Sequence, residues 1–162
     1  MRERRRRFTR EHEREHEQML AELRELYTRI DESLSGFGCD ASTDCCRFGV
    51  TGREPYPTAV EVAELERAVR ARGGLPKRRT LPLASERRCA LLGDEGRCLV
   101  YASRPFGCRT FFCERARGPV GDRRTLPKAS IAEVGRRIAD LSSRFAPADP
   151  GARPLSRVTS GW

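Results

Sequence analysis

The residues best suited to chemistry in this sequence are seven cysteines, all of which lie between positions 39 and 113. They are Cys39, Cys45, Cys46, Cys89, Cys98, Cys108 and Cys113. A set made only of thiolates selects zinc or an iron–sulfur cluster. Cysteines that served only as small apolar residues would also occur on the helices predicted near the two ends of the chain, residues 11–34 and the helix that follows Ser130, where there are none. The pattern therefore predicts a metal site, and all seven cysteines are candidate ligands.

The spacing of the cysteines departs from the common metal-binding motifs. No pair has the C-x-x-C spacing typical of zinc ribbons and fingers, and neither common ferredoxin pattern fits. A close group at 39–46, completed by a distant cysteine, meets the looser requirement of an iron–sulfur cluster. We therefore favour an iron–sulfur cluster over zinc. Buried free thiols in a small helical domain are the alternative.

The beginning of the chain favours a cytoplasmic protein whose thiols are reduced. An arginine-rich start is followed by charged residues 11–18, without the apolar stretch of a secretory signal. No window approaches the roughly 18 apolar residues of a membrane span, so no membrane association is expected. Since disulfides are rare in the cytoplasm, metal ligation is the more suitable role for these cysteines.

The net charge of +9 is weaker evidence for a partner than its size suggests. Of the 32 basic residues, all except Lys77 and Lys128 are arginine, which is typical of a GC-rich coding bias. The surplus in residues 75–128 could nevertheless meet an acidic protein or nucleic acid, or offset the charge of thiolates. The sequence leaves the partner open.

The remaining pattern predicts elements that would position the cysteines. Apolar residues at three- and four-residue steps predict a helix over 11–34. Capping boxes at Thr58 and Ser130 predict the starts of two more helices, and Pro105 suits the first turn of a short helix that carries Cys108. Residues 89–101, with a glycine-rich turn at 93–96, predict a short β-hairpin.

Together these elements predict the fold class and the domain boundaries. We expect a mainly α, small helical domain with a short β-hairpin and irregular loops around a cysteine-ligated metal site. Because core-forming residues are few, ligation is expected to help hold its centre. A charged N-terminal extension (1–18) would precede the cysteine-cluster domain (19–145), and a flexible C-terminal tail (146–162) would follow it.

Two blocks of this sequence resemble a known family, the cysteine-cluster proteins described as zinc- or iron-chelating domains, to which flagellin lysine N-methylase is related. The first block runs from Phe37 to Cys46-Arg47 and on to Glu61. The second contains Cys89, Gly96-Arg97-Cys98, Tyr101, Arg104-Pro105 and Cys108-Arg109. One departure is Ser42, where many members have another cysteine. The resemblance implies a metal or iron–sulfur site, without implying a known reaction for most members.

The resemblance leaves three classes of function open. The first is a protein that binds zinc or an iron–sulfur cluster, with a structural or redox role for the metal. The second is an iron–sulfur-dependent protein-modifying enzyme similar to the methylase, and the third is a basic, metal-stabilised module that binds nucleic acid or an acidic protein. Tyr101, Arg104 and Arg109 could line the cofactor from a second layer, although packing and pairing roles suit them as well.

One apparent catalytic motif is rejected. His12-Glu13-Arg14-Glu15-His16 matches the H-E-x-x-H pattern of zinc proteases. A catalytic zinc helix has apolar neighbours and a third protein ligand, whereas this stretch is charged and these two histidines are the only ones in the chain. We interpret it as a solvated helix face.

Overall fold

The computed structural model describes residues 2–37, 43–76, 87–112 and 125–162, with side chains from residue 10 onward. These residues are mostly helical. The helices are α1 (Arg2–Ser33), α2 (Phe48–Thr51), α3 (Ala59–Ala71), α4 (Phe106–Arg109), α5 (Lys128–Phe145) and α6 (Leu155–Val158), with 3-10 turns at Asp44–Cys46, Tyr101–Ser103 and Thr159–Gly161. In the described part of the chain, no helix is long and apolar enough to cross a membrane.

Three long helices, α1, α3 and α5, pack around the first of two apolar clusters. Their inner positions recur every three or four residues, which places them on one face of each helix. The fully buried members include Leu23 and Ile30 of α1 and Leu141 of α5. The cluster comprises Leu20, Leu23, Leu26, Tyr27, Ile30, Leu34, Val60, Val134, Ile138 and Leu141.

The second apolar cluster lies on another face of α3 and contains part of the cysteine-rich region. Leu65 and Val69 of α3 contribute to it, and Cys46, Cys98 and Trp162 pack against it half-buried. Its buried members are Phe48, Leu65, Val69, Cys89, Leu91, Leu92, Val100 and Leu155. The thiols therefore lie at the edge of an apolar cluster.

The predicted β-hairpin at residues 89–101 is wrong. The described residues contain no strand, and Leu92 forms only an isolated antiparallel bridge with Cys98. Two hydrogen bonds flank this bridge, from Gly93 N to Arg97 O at 2.8 Å and from Leu99 N to Leu91 O at 2.8 Å. Pairing stops there because the chain turns at both ends, next to Cys89 and into the 3-10 turn that begins at Tyr101.

The predicted arrangement of the domain around a cysteine-ligated metal site is also wrong for the described residues. Among them, no three His, Cys, Asp or Glu side chains come together as a group that could hold a metal ion. The centre of the fold is instead the apolar contact between α1, α3 and α5. Few core formers suffice because these helices concentrate them on their facing sides.

Two of the three long helices start at positions that differ from the sequence predictions. The capping box of α3 is present, with Thr58 and Glu61 bonded reciprocally. In contrast, α5 begins two residues before Ser130, after Pro127, and Ile131 N donates to Pro127 O at 3.0 Å. Helix α1 begins at Arg2 and so extends through the charged segment.

Residues 146–162, expected as a flexible tail, return to the body of the molecule. Leu155 is buried in the second cluster, and its backbone N–H donates to Pro55 O at 3.0 Å. The carboxylate of Glu54 accepts from Ser156 N at 2.6 Å and from Arg87 at 2.8 Å. This carboxylate connects the C-terminal segment to the chain that leads into Cys89.

Candidate thiol site

The adjacent cysteines Cys45 and Cys46 are paired with a distant segment that carries Cys89. The 3-10 turn Asp44–Cys46 places their sulfur atoms 3.8 Å apart. Arg47 forms an isolated antiparallel bridge with Arg88, and Cys89 N donates to Cys46 O at 2.8 Å. This backbone pairing brings Cys46 and Cys89 side by side although 42 residues separate them in the sequence.

Cys98 returns to the same segment through its bridge with Leu92. The turn between Leu92 and Cys98 begins at Gly93, whose carbonyl oxygen accepts a hydrogen bond from the Arg88 guanidinium at 3.0 Å. Gly96 has a φ of 74° in this turn, a left-handed conformation that glycine adopts without the strain of a side chain. The turn therefore fixes Cys98 relative to Cys89.

Cys108 lies in α4, which is held close to the loop before α3. Its backbone N–H donates to Pro105 O at 2.9 Å. A Cβ atom added at the neighbouring Gly107 would lie 3.2 Å from Pro55 Cβ, so glycine permits this close approach. This approach fixes α4, and with it Cys108, relative to the loop before α3.

Burial and neighbouring thiols raise the pKa of three of the described cysteines, Cys46, Cys98 and Cys108. Burial raises the pKa of the Cys108 thiol far above its ordinary value, and Cys89, Cys98 and Cys45 raise it further. The hydrogen bond with Cys45 raises the pKa of Cys46 well above the ordinary range, and burial adds to the effect. Burial also raises the pKa of Cys98. Bringing negative charge into this site is therefore costly unless a cation compensates for it.

Cys45 differs from the other described thiols because it is exposed and acidic. The hydrogen bond from Cys46 lowers its pKa to about 7. In the reduced, metal-free protein we expect iodoacetamide to alkylate Cys45 first, with a rate that rises through a midpoint near pH 7, because the thiolate is the nucleophile. An ordinary thiol has a pKa of about 8.5.

Mass spectrometry of the alkylated peptides against pH would measure this profile. Cys108 provides the internal comparison, because burial should keep it slow over the same range. A Cys45 midpoint near 8.5, or equal rates at Cys45 and Cys108, would contradict the described environment.

Two buried carboxylates of α3 hold the segment that contains Cys108. Glu61 accepts from Phe106 N at 2.7 Å and from the Tyr27 hydroxyl at 3.1 Å. Glu64 accepts from the Ser103 hydroxyl at 2.9 Å and pairs with Arg67 at 2.8 Å. Since an unpaired buried carboxylate is strongly disfavoured, these contacts restrict where residues 103–106 can lie.

The three residues predicted to line the cofactor have different positions. Arg104 lies 3.9 Å above the Tyr101 ring, and Tyr101 is itself exposed. Arg109 is buried and faces α1, where it pairs with Asp31 and lies 3.9 Å above the Tyr27 ring. Arg109 also donates to the carbonyl oxygens of Ala102 and Arg104. Arg104 also pairs with Asp31, at 3.3 Å, so both arginines are tied to α1 and no direct contact with a thiol is described for either.

The donor chemistry of the site fits a soft metal, because thiolates are the ligands that zinc and iron–sulfur clusters prefer. As noted above, however, no complete ligand group is formed by the described residues. The remaining candidates, Cys39 and Cys113, lie outside the described residues, as does Ser42. The five described thiols thus supply donors from three segments of the chain without forming a finished coordination sphere.

The rejected H-E-x-x-H motif lies away from the thiols. The rings of His12 and His16 are 4.1 Å apart, and the His16 ring is 4.4 Å from Phe145 of α5. Burial lowers the pKa of His16, and His12 lowers it further. These contacts are those of a histidine that packs where α1 meets α5.

Sequence reasoning missed the residues that support the site from α1 and α3. Asp31 and Glu64 were not singled out, Tyr27 was assigned only to the apolar face of the first helix, and Glu61 was assigned only to the capping box. One usable signal was present, because Glu61 and Glu64 fall among the apolar positions of α3. A carboxylate on an apolar helix face predicts a buried polar partner.

Comparison of the chain with protein-family models, with curated proteins and with solved structures gives no match.

Proposed function

We propose that this protein binds a soft metal through cysteine thiolates at the edge of the second apolar cluster. The observation that carries the proposal is the backbone pairing that brings Cys46, next to Cys45, beside Cys89, together with the bridge at Leu92 that brings Cys98 to the same segment. The influence of Cys89, Cys98 and Cys45 on the pKa of Cys108 supports adding Cys108 to this set. Burial of a cysteine raises the free energy of its thiolate form, and a bound metal cation lowers it again. Ligands would come from these five cysteines, with Cys39 and Cys113 as further candidates.

The metal that we propose is an iron–sulfur cluster in preference to zinc. The chain lacks C-x-x-C pairs, which favours a site assembled from separate segments. Such a cluster would supply one-electron redox chemistry, whereas zinc would supply a structural cross-link. The protein residues in either case hold the thiolates, shield them from water on the side of the apolar cluster and balance their charge.

The resemblance to the zinc- or iron-chelating cysteine-cluster family supports the same proposal. We place the protein in the cytoplasm, where its thiols would be reduced. Lysine methylation similar to that of the related methylase would also need a bound methyl donor, and the sequence has no glycine-rich nucleotide-binding motif.

A basic module for nucleic acid or an acidic protein has less support from the surface around the thiols. Arg47, Arg88 and Arg97 are exposed there, but Asp94 and Glu95 are exposed in the same region. The two signs of charge offset each other locally. We therefore propose metal binding as the function and leave the partner to experiment.

Anaerobic purification, followed by iron, sulfide and zinc analysis, tests the proposal. We expect a brown protein that contains iron and sulfide, with a broad absorption band near about 400 nm that bleaches on reduction. A colourless protein with stoichiometric zinc would overturn the choice of metal. A reduced protein with neither metal, which also fails to take up added Zn²⁺ or a reconstituted cluster, would overturn metal binding itself.

A further inference from the structure

Cys45 and Cys46 are adjacent in the chain, and the structure places their sulfur atoms 3.8 Å apart. A disulfide joins sulfur atoms about 2.05 Å apart, so rotation of the two side chains has a gap of about 1.8 Å to close. Cys45 is exposed to solvent, and Cys46 is half-buried beside it. Cysteines that sense oxidants are typically accessible and lie next to a second cysteine that resolves the oxidised sulfur. The pair has both properties.

The turn that presents the two thiols is held by its own hydrogen bond and by a distant segment. Cys46 N donates to Thr43 O at 2.9 Å, and Cys46 O accepts from Cys89 N at 2.8 Å. Thr43 has a φ of 61°, and a β-branched residue adopts this left-handed conformation only when its surroundings enforce it. The backbone around the pair is therefore fixed, which keeps the two sulfur atoms close while their side chains rotate.

We propose that Cys45 and Cys46 form a reversible disulfide with each other when a peroxide is present, and that this oxidation switches off metal binding at the thiol site. The first half of the proposal needs nothing beyond the two thiols and the peroxide. The second half rests on the proposed function, because it assumes that both cysteines bind metal as thiolates. A disulfide sulfur has no thiolate charge, so one oxidation removes two candidate ligands together.

The oxidation consumes two thiols and one peroxide molecule. The deprotonated Cys45 sulfur attacks one oxygen of hydrogen peroxide, the O–O bond breaks, and a sulfenic acid and a hydroxide ion form. The hydroxide ion takes up the proton that Cys45 released. The Cys46 sulfur then attacks the sulfenic sulfur, the S–O bond breaks, and water leaves with the Cys46 proton. Two electrons pass from the sulfur atoms to the peroxide, and the products are one disulfide and two water molecules.

A disulfide between neighbouring residues is strained and therefore easily reduced. The Cα atoms of adjacent residues lie about 3.8 Å apart across a trans peptide bond, whereas disulfides usually join Cα atoms about 4.4–6.8 Å apart. Strained or exposed disulfides are the labile and regulatory ones, which is also the kind found in a reducing cytoplasm. We expect reduced glutathione to restore both thiols.

The test treats the reduced, metal-free wild-type chain with an equimolar amount of hydrogen peroxide, followed by unfolding and alkylation. Asp-N protease and trypsin cut before Asp44 and after Arg47, which releases a peptide, residues 44–47, with both cysteines and no other. In most chains we expect this peptide to be unalkylated and two hydrogen atoms lighter than its reduced form. Cys89 is 6% exposed, so it is the internal control and should be recovered alkylated.

Uptake of Zn²⁺, measured by competition with a chelator, tests the consequence for the metal. The peroxide-treated wild type should lose Zn²⁺ uptake and regain it after treatment with reduced glutathione and removal of the glutathione. Cys46→Ser lacks the resolving thiol, so peroxide should leave its Cys45 as a sulfenic acid that dimedone traps. The wild type should give little of this dimedone adduct, because Cys46 reacts first.

The outcomes separate this inference from the proposed function. A peptide 44–47 that stays reduced, or a link from either cysteine to Cys89, to another cysteine or to a second chain, overturns the disulfide. A disulfide within 44–47 together with Zn²⁺ uptake equal to that of the reduced protein overturns the switch. A reduced wild type that binds no metal overturns the proposed function and with it the regulatory half, whereas the disulfide is decided separately, by peptide mass in metal-free protein.

Discussion

A protein in which Cys46 and Cys108 are both replaced by serine should lose its metal while it keeps its helices. Serine oxygen is a poor ligand for a soft metal, and these two thiols come from different segments of the proposed site. We expect the metal content per chain to fall to about a tenth of the wild-type value or less. Metal analysis after anaerobic purification measures it.

The helical part of this expectation follows from the separate location of the core. The contacts of α1, α3 and α5 form the first apolar cluster, which contains none of the five cysteines that the structure describes. Far-ultraviolet circular dichroism should therefore change little in the double variant. Thr110→Ala is a suitable control, since Thr110 follows α4 and its hydroxyl donates to Phe106 O at 2.9 Å.

The control variant should retain its metal, because it alters the surroundings of α4 without removing a thiol. A double variant that keeps wild-type metal content would show that the ligands lie elsewhere. A double variant that loses both metal and helices would show that the apolar clusters cannot hold the fold by themselves.

Replacing Arg109 by Met should destabilise the protein. Arg109 is 2% exposed, and its removal leaves the Ala102 and Arg104 carbonyl oxygens without their donor and Asp31 without its buried partner. Breaking a buried ion pair by removing one partner costs about 3–5 kcal/mol. Because the Asp31 side chain is 41% exposed, water can replace part of the interaction, and we expect about 3 kcal/mol.

Urea unfolding followed by circular dichroism would measure this loss as a lower transition midpoint. Arg153→Met is the matched control, since Arg153 pairs with Asp149 on the surface and both side chains are more than half exposed. Exposed pairs contribute about 0–1 kcal/mol, so the control should unfold close to the wild type. Equal midpoints for the two variants would contradict the structural role of Arg109.

The sequence by itself determined the features that depend on near neighbours in the chain. The spacing of Leu23, Leu26 and Ile30 predicts the inner face of α1, because the helix repeats every 3.6 residues. The capping box at Thr58 was correct because both of its partners lie within one turn. The concentration of the cysteines in the middle of the chain is likewise visible without a structure.

Local signals failed where an element needs support from distant parts of the chain. The glycine-rich turn at 93–96 satisfied the pattern of a hairpin, yet only one bridge forms, because the following residues turn toward Pro105 and α4. The Ser130 capping box was present in the sequence, but α5 starts earlier, after Pro127. The sequence around residues 127–130 is compatible with a helix that begins after Pro127 or at Ser130, so the local pattern does not distinguish the two starts.

The tertiary structure alone decided which polar groups meet around the thiols. Asp31 and Arg109 are 78 residues apart in the chain, and Tyr27 and Glu61 are 34 apart. Such pairs leave no periodic trace in a sequence, because their partners are selected when helices pack and buried polar groups must be satisfied. The same packing places the Cys46 carbonyl against the backbone of Cys89. The sequence alone shows how many cysteines there are and where they lie in the chain, whereas long-range contacts decide which of them come close together.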